Sequence, residues 1–199
     1  VQTFHPDAKA LVENTCLGCH GILGQRQFEL DKVLASGKPA DQSACGDFTR
    51  HMVDAVPYPV GNPGAKHADY GALARDGISC AACHHAVLDP KIVAKVQDDP
   101  QNTCVKARQD LLNPTMTGFA KTFTGSFFVG PPGEIYGPFQ GPKPVPMQNA
   151  LAITPHYDSG FASPELCGSC HTVHLPVMYK RKTIGHFFEQ TTYPEWLFS

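Results

Sequence analysis

Eight cysteines occupy positions 16, 19, 45, 80, 83, 104, 167 and 170, and six of them form pairs with two residues between the thiols. Each pair is followed at once by a histidine: Cys16-Leu17-Gly18-Cys19-His20, Cys80-Ala81-Ala82-Cys83-His84 and Cys167-Gly168-Ser169-Cys170-His171. Two thiols three positions apart reach the two vinyl groups of one porphyrin as thioethers, and the adjacent imidazole then lies beneath the iron as its proximal ligand. The pattern predicts three covalently attached c-type haems. The competing chemistries are a zinc knuckle and a thioredoxin-like redox pair. Structural zinc, however, takes its second ligand pair from a separate stretch and has no need of a histidine at that position. With 10 histidines in 199 residues, three chance placements have a probability on the order of one in ten thousand.

A haem iron held from below keeps one further axial position. Seven histidines remain to fill three such positions: His5, His51, His67, His85, His156, His174 and His186. His5, His67 and His156 precede the first cysteine of their motifs by 11, 13 and 11 residues, a weak internal repeat that places each to serve a neighbouring iron. His85 and His174 follow a proximal histidine by one and three positions, beside one haem and within reach of the next. His51 is a further candidate, and His186, alone in a polar context, ranks last. Met52, Met116, Met147 and Met178 are alternative ligands that would raise the potential. A lone histidine is more often a surface or core residue than a ligand, so several of the seven are expected to be bystanders.

Cys45 and Cys104 have no partner at motif spacing. Haem attachment of this kind takes place outside the cytoplasm, where disulfides persist, so a Cys45–Cys104 bridge is the natural pairing and two buried free thiols are the alternative. The bridge would close a loop of about 60 residues and contribute about 4 kcal/mol.

The elements that position these groups read as short. Eighteen glycines and eighteen prolines, with a hydrophobic fraction of 42% scattered along the chain, predict a mainly α fold with a large irregular, loop-rich fraction, organised around stacked haems. One domain over 1–199 is expected, with haem blocks near 1–44, 45–110 and 111–199. Pro6 to Val12 reads as a helix start with proline in its first turn. Ala68 to Arg75 reads as a short helix leading into the second motif, and Ser163 to Leu166 as a capped turn leading into the third. Gly125 to Phe139 is aromatic and punctuated by glycine and proline, which excludes a long helix and allows short extended pieces. Its rings would cover porphyrin faces, or form a surface loop with a small core of its own. Tyr58 to Gly64 is a second turn region. The formal charge of −2, without like-charge runs, argues against nucleic acid as a partner. No apolar stretch reaches the length of a membrane span, and the start at Val1 without a signal-like segment reads as a mature, processed, soluble chain.

Leu166 to Pro176, Glu189 to Leu197 and Gly77 to His84 together resemble the multihaem cytochromes c related to the tetrahaem electron acceptors of hydroxylamine oxidation. The resemblance spans the chain at low density. In such relatives the stretch similar to Thr192–Trp196 is followed by another haem site, whereas this chain stops at Ser199, which suggests a fragment or a shortened member. The resemblance implies closely stacked haem pairs and a distal histidine upstream of the motif, favouring His156 and His67.

Three haems in 199 residues leave about 66 residues each, too few to isolate the cofactors. The expected function is electron transfer by mostly bis-histidine haems, as a periplasmic carrier or an extracellular conduit subunit. Its partners would be other redox proteins, further multihaem subunits or copies of itself in an oligomer or filament. A nitrite- or hydroxylamine-type oxidoreductase with one open haem is the alternative, and a structural or sensory haem protein a more distant one. The macrocycles would supply much of the buried surface, so the apoprotein is expected to be largely disordered.

Overall fold

Two glycines set the first packing contact. In the computed structural model, which describes residues 9–38, 40–43, 45–55, 64, 66–180 and 182–199, α1 (Lys9–His20) and α2 (Ile22–Ala35) run almost end to end and break at Gly21. A side chain at Gly21 would meet Leu17 and Ala74, and one at Gly24 would lie 2.1 Å from the carbonyl oxygen of Tyr70. Glycine at both positions lets α4 (Ala68–Arg75) cross α2 at backbone distance. Phe28, Phe48 and Ala74 are buried at this crossing, and α3 (Arg50–Asp54) closes its edge with Met52 and Val53.

The second motif is itself a helix, α5 (Cys80–His84), followed by β1 (Ala86–Val87). Asp89 then caps α6 (Pro90–Val96) by accepting a hydrogen bond from the Lys91 amide, with proline at the first helical position. α7 (Thr103–Leu112) comes next, and its Cys104 is bonded to Cys45 with the Cα atoms 5.2 Å apart. The expected bridge is therefore formed.

From 123 to 130 the chain is mostly buried and irregular except for its last residues, so much of its backbone needs partners that no helix or sheet supplies. Side-chain amides provide them. Asn113 donates to the carbonyls of Lys121 and Phe123, and Gln109 donates to Ser126. Asn102 donates to Val129 and accepts from the amide of the same residue. β2 (Phe128–Val129) pairs antiparallel with β1. Ile22, Ala82, Ala86, Phe127 and Val129 form a second core cluster between α2, α5 and this strap. Phe127 and Tyr136 are buried, each in a small core cluster, while Pro132, Gly133 and Pro138 between and beside them are exposed. Phe139 is 79% exposed.

β3 (Glu134–Gly137) and β4 (Thr154–Tyr157) pair in parallel across α8 (Val145–Leu151), bringing Tyr136 opposite His156. α9 (Glu165–Gly168) opens the third motif, and the amide of Glu165 donates to Ser163 Oγ as the capped turn requires. β5 (Val173–Tyr179) and β6 (Lys182–Gln190) form an antiparallel hairpin, and α10 (Thr192–Leu197) follows.

Helices and irregular chain dominate, and the helix expected at 68–75 has those bounds. The hairpin was not expected. Pro176 and Gly185 interrupt its two halves, and Ile184, Phe187 and Phe188 are exposed, so no clean alternation marks it as strand. The repeat of upstream histidines is not structural either: His67 has a positive φ of 66° just before α4, whereas His156 lies within β4. The helix start at Pro6 and most of the 58–64 turn lie outside the described residues.

Candidate haem-attachment site

Each motif sits on a helical turn, where positions i, i+3 and i+4 share a face. The first is the last turn of α1, the second is α5, and the third continues α9, with the His171 amide donating to the Cys167 carbonyl at 2.9 Å. The three turns present their groups alike. Cys16, Cys80 and Cys167 are exposed, as are His20, His84 and His171, while Cys19 is buried and Cys83 and Cys170 are partly buried. All six motif thiols are free.

The 124–130 strap gathers the three turns. The amides of Thr124 and Gly125 donate to Thr172 and Ser169 in and beside the third motif, at 2.9 and 2.8 Å. A side chain on Gly125, whose φ is +69°, would lie 2.8 Å from both Cys19 Sγ and the Gly18 carbonyl in the first motif. Only glycine takes that backbone shape so close to two neighbours without strain. Gly130 donates to His85, directly after the second motif. The neighbouring Cys170 thiol, then burial, pushes the Cys19 thiol pKa up. Burial raises that of Cys83 as well.

One motif histidine is held by the backbone: His84 Nδ1 lies 2.7 Å from the Tyr136 carbonyl, and its ring stacks on Phe161. A ring N–H donated to a carbonyl leaves the other nitrogen as the acceptor that a metal needs. His174 is built the same way. It is buried, with Nδ1 at 2.7 Å from the Leu112 carbonyl and 3.1 Å from Asn113 Oδ1. Burial lowers its pKa, against the opposing effect of the Leu112 carbonyl. His186, ranked last from sequence, stacks on His174 at 5.1 Å and points Nε2 to the Leu111 carbonyl at 2.9 Å. The hairpin that carries both also brings Glu189 near Cys16, whose thiol pKa is raised by burial and then by that carboxylate.

The other candidates are scattered. His156 stacks on Tyr136 at 5.6 Å, and its Nε2 is buried without a hydrogen bond, 3.5 Å from Glu134 Oε2. Tyr136 Oη donates to the same carboxylate, so His156 belongs to the surroundings of His84 and the second motif. His67 packs edge-on against Phe28, in the cluster that also covers Leu17 of the first motif. Burial lowers its pKa, as do Lys66 and Lys32. His85 borders a cleft of about 210 Å³ with Ile22, Arg26, Ala82 and Gln101, and burial lowers its pKa too. His51 is exposed on α3. His5 lies outside the described residues.

Among the described residues, no group of three or more His, Cys, Asp or Glu side chains could hold a bare metal ion. The motif faces instead suit a planar group that brings its own equatorial nitrogens and takes two thiols and an imidazole from one helical turn. Sequence reasoning ranked His186 last and gave Tyr136 no role beyond its aromatic segment; the carbonyl of Tyr136 on His84 and the stacking of His186 on His174 come from residues distant in sequence, which no local pattern marks. No protein-family model, curated protein or solved structure matches the chain.

Proposed function

We propose that the chain is a three-haem c-type cytochrome that transfers electrons, as a carrier in the periplasm or as a subunit of an extracellular conduit. One observation carries the reading: three Cys-x-x-Cys-His segments each fold as a helical turn with the leading thiol and the histidine exposed side by side. The resemblance to the multihaem relatives of the tetrahaem acceptors, and a fold stacked around haems, belong to the same proposal.

Haem c, when bound, supplies an iron that alternates between ferric and ferrous and so holds one electron. The chain's part is attachment and orientation. Cys16 with Cys19, Cys80 with Cys83 and Cys167 with Cys170 form the thioethers, and His20, His84 and His171 are the proximal ligands. The Tyr136 carbonyl fixes the His84 ring with Nε2 left for iron. His174 is the best-supported distal ligand, because Leu112 and Asn113 fix its ring in the same tautomer. His67, His85 and His156 are the next candidates. The strap keeps the first and third attachment turns in contact, which brings two of the cofactors close. Exposed apolar side chains near the motifs, such as Ile78, Phe187 and Phe188, would cover macrocycle faces. Redox proteins and further multihaem subunits are the partners proposed. Among the described residues, no helix is long and apolar enough to cross a membrane.

A pyridine haemochrome count paired with low-temperature electron paramagnetic resonance of the oxidised protein tests this. Three haems per chain with only low-spin signals are expected. A high-spin signal of about one iron per chain would replace the carrier with a catalyst holding an open site, and a chain without haem would overturn the reading altogether.

A further inference from the structure

Arg26 of α2 ends where the three motifs meet. Its Nη2 donates to the carbonyls of Gly125 at 3.1 Å and Phe127 at 2.9 Å, and its guanidinium lies 4.4 Å over the Phe127 ring. Nε and Nη1 are buried without a hydrogen-bond partner. Arg108, also buried, sits nearby and binds Glu29 at 3.3 Å and Gln25 at 2.9 Å. Two enclosed cations thus share one carboxylate, which the second of them already engages. Burying an incompletely paired charge is costly. Burial, then Arg108, pulls the Arg26 pKa down to about 9, still high enough to keep it charged at neutral pH.

Hydrogen bonding alone does not call for a cation here. The same strap is held at Ser126 by the Gln109 amide and at Val129 by the Asn102 amide. What distinguishes Arg26 is the place of its charge: it holds the carbonyl of Gly125, whose backbone packs against Cys19 Sγ of the first motif and whose amide donates to Ser169 of the third, and it lines one cleft with His85, next to the second motif.

We propose that Arg26 is a fixed buried cation that raises the reduction potentials of the groups attached at the three motifs, most of all those at Cys19 and Cys170. This rests on the haem reading above. Ferrous haem carries one positive charge fewer than ferric, so a cation in a low-dielectric interior favours the reduced state.

Spectroelectrochemical titration of Arg26→Gln, Arg26→Lys and Glu29→Gln, each with a haemochrome count, is the test. Arg26→Gln should keep three haems and weaken reduction at the most affected one at least ten-fold, a downward shift of 59 mV for one electron. Arg26→Lys should stay near the parent, and Glu29→Gln, which removes the counter-charge, should move the midpoints up. If Arg26→Gln holds three haems with unchanged midpoints, or shifts no more than Arg26→Lys, Arg26 is only a tie for the strap and the inference falls. Should Arg26→Gln not assemble, Arg26→Met, which keeps the apolar stem and removes the charge, decides: a downward shift supports the proposal, and unchanged or raised midpoints overturn it. A parent protein without haem would instead sink the haem reading.

Discussion

At the scale of single residues, the chemistry turns on which imidazole nitrogen is left free. His84 and His174 sit far apart in sequence and in different elements, yet each is tied through Nδ1 to a main-chain carbonyl. That bond sets both the tautomer and the ring orientation, so it separates a ligand from a bystander. His186, stacked on His174, has Nε2 engaged instead. His174→Ala should therefore leave three haems attached while converting one iron in three from low to high spin by paramagnetic resonance. His186→Ala should leave all three low-spin. Equal spectra for the two variants would remove His174 from the ligand set.

At the scale of elements, the Cys-x-x-Cys-His turns are positioned by buried polar groups as much as by apolar packing. Asp158, fully buried, accepts from the amides of Leu88 at 3.0 Å, Asp89 at 3.1 Å and Gly160 at 2.7 Å. It joins the segment after the second motif to the turn before the third. Asp158→Ala strands three donors, each costing about 1–3 kcal/mol if left unpaired, so a loss of about 3–5 kcal/mol is expected after partial rehydration. Urea unfolding measures it, and Asp158→Asn, which keeps an acceptor, should lose less. The helix at 68–75 and the cap at Ser163 were legible in sequence because their signals are local: a short helix-forming run, and a hydroxyl two residues before a free amide. The strap was not. Its burial depends on amides at 102, 109 and 113, whose reach to residues 121–129 no local pattern encodes.

At the scale of the whole molecule, the described core is three small clusters, around Phe28, Phe127 and Tyr136, and no single large one. A core so divided needs covalent help. The Cys45–Cys104 bridge joins residues 59 apart and contributes about 4 kcal/mol in the chain-entropy model. Cys45→Ala with Cys104→Ala should lower stability by about that amount in urea titration while leaving three haems attached. On the proposed reading, bound macrocycles would be the other support. A variant with all six motif cysteines changed to alanine is expected to lose most of its far-UV circular dichroism. A native signal from that variant would mean that the polypeptide folds on its own.

The sequence by itself determined which groups stand together in each motif and which cysteine pair is left for a bridge, because both follow from spacing along the chain: two thiols and an imidazole within five residues, repeated three times, with Cys45 and Cys104 left over. Tertiary structure decided the rest. Which histidine keeps a nitrogen free depends on carbonyls such as those of Leu112 and Tyr136, more than fifty residues away along the chain. That a glycine at 125 could wedge the first motif against the third, and that Arg26 would be enclosed beside them, depends on the same long-range packing. Spacing along a chain fixes what can bond within one turn, whereas orientation and enclosure exist only once distant segments are brought together.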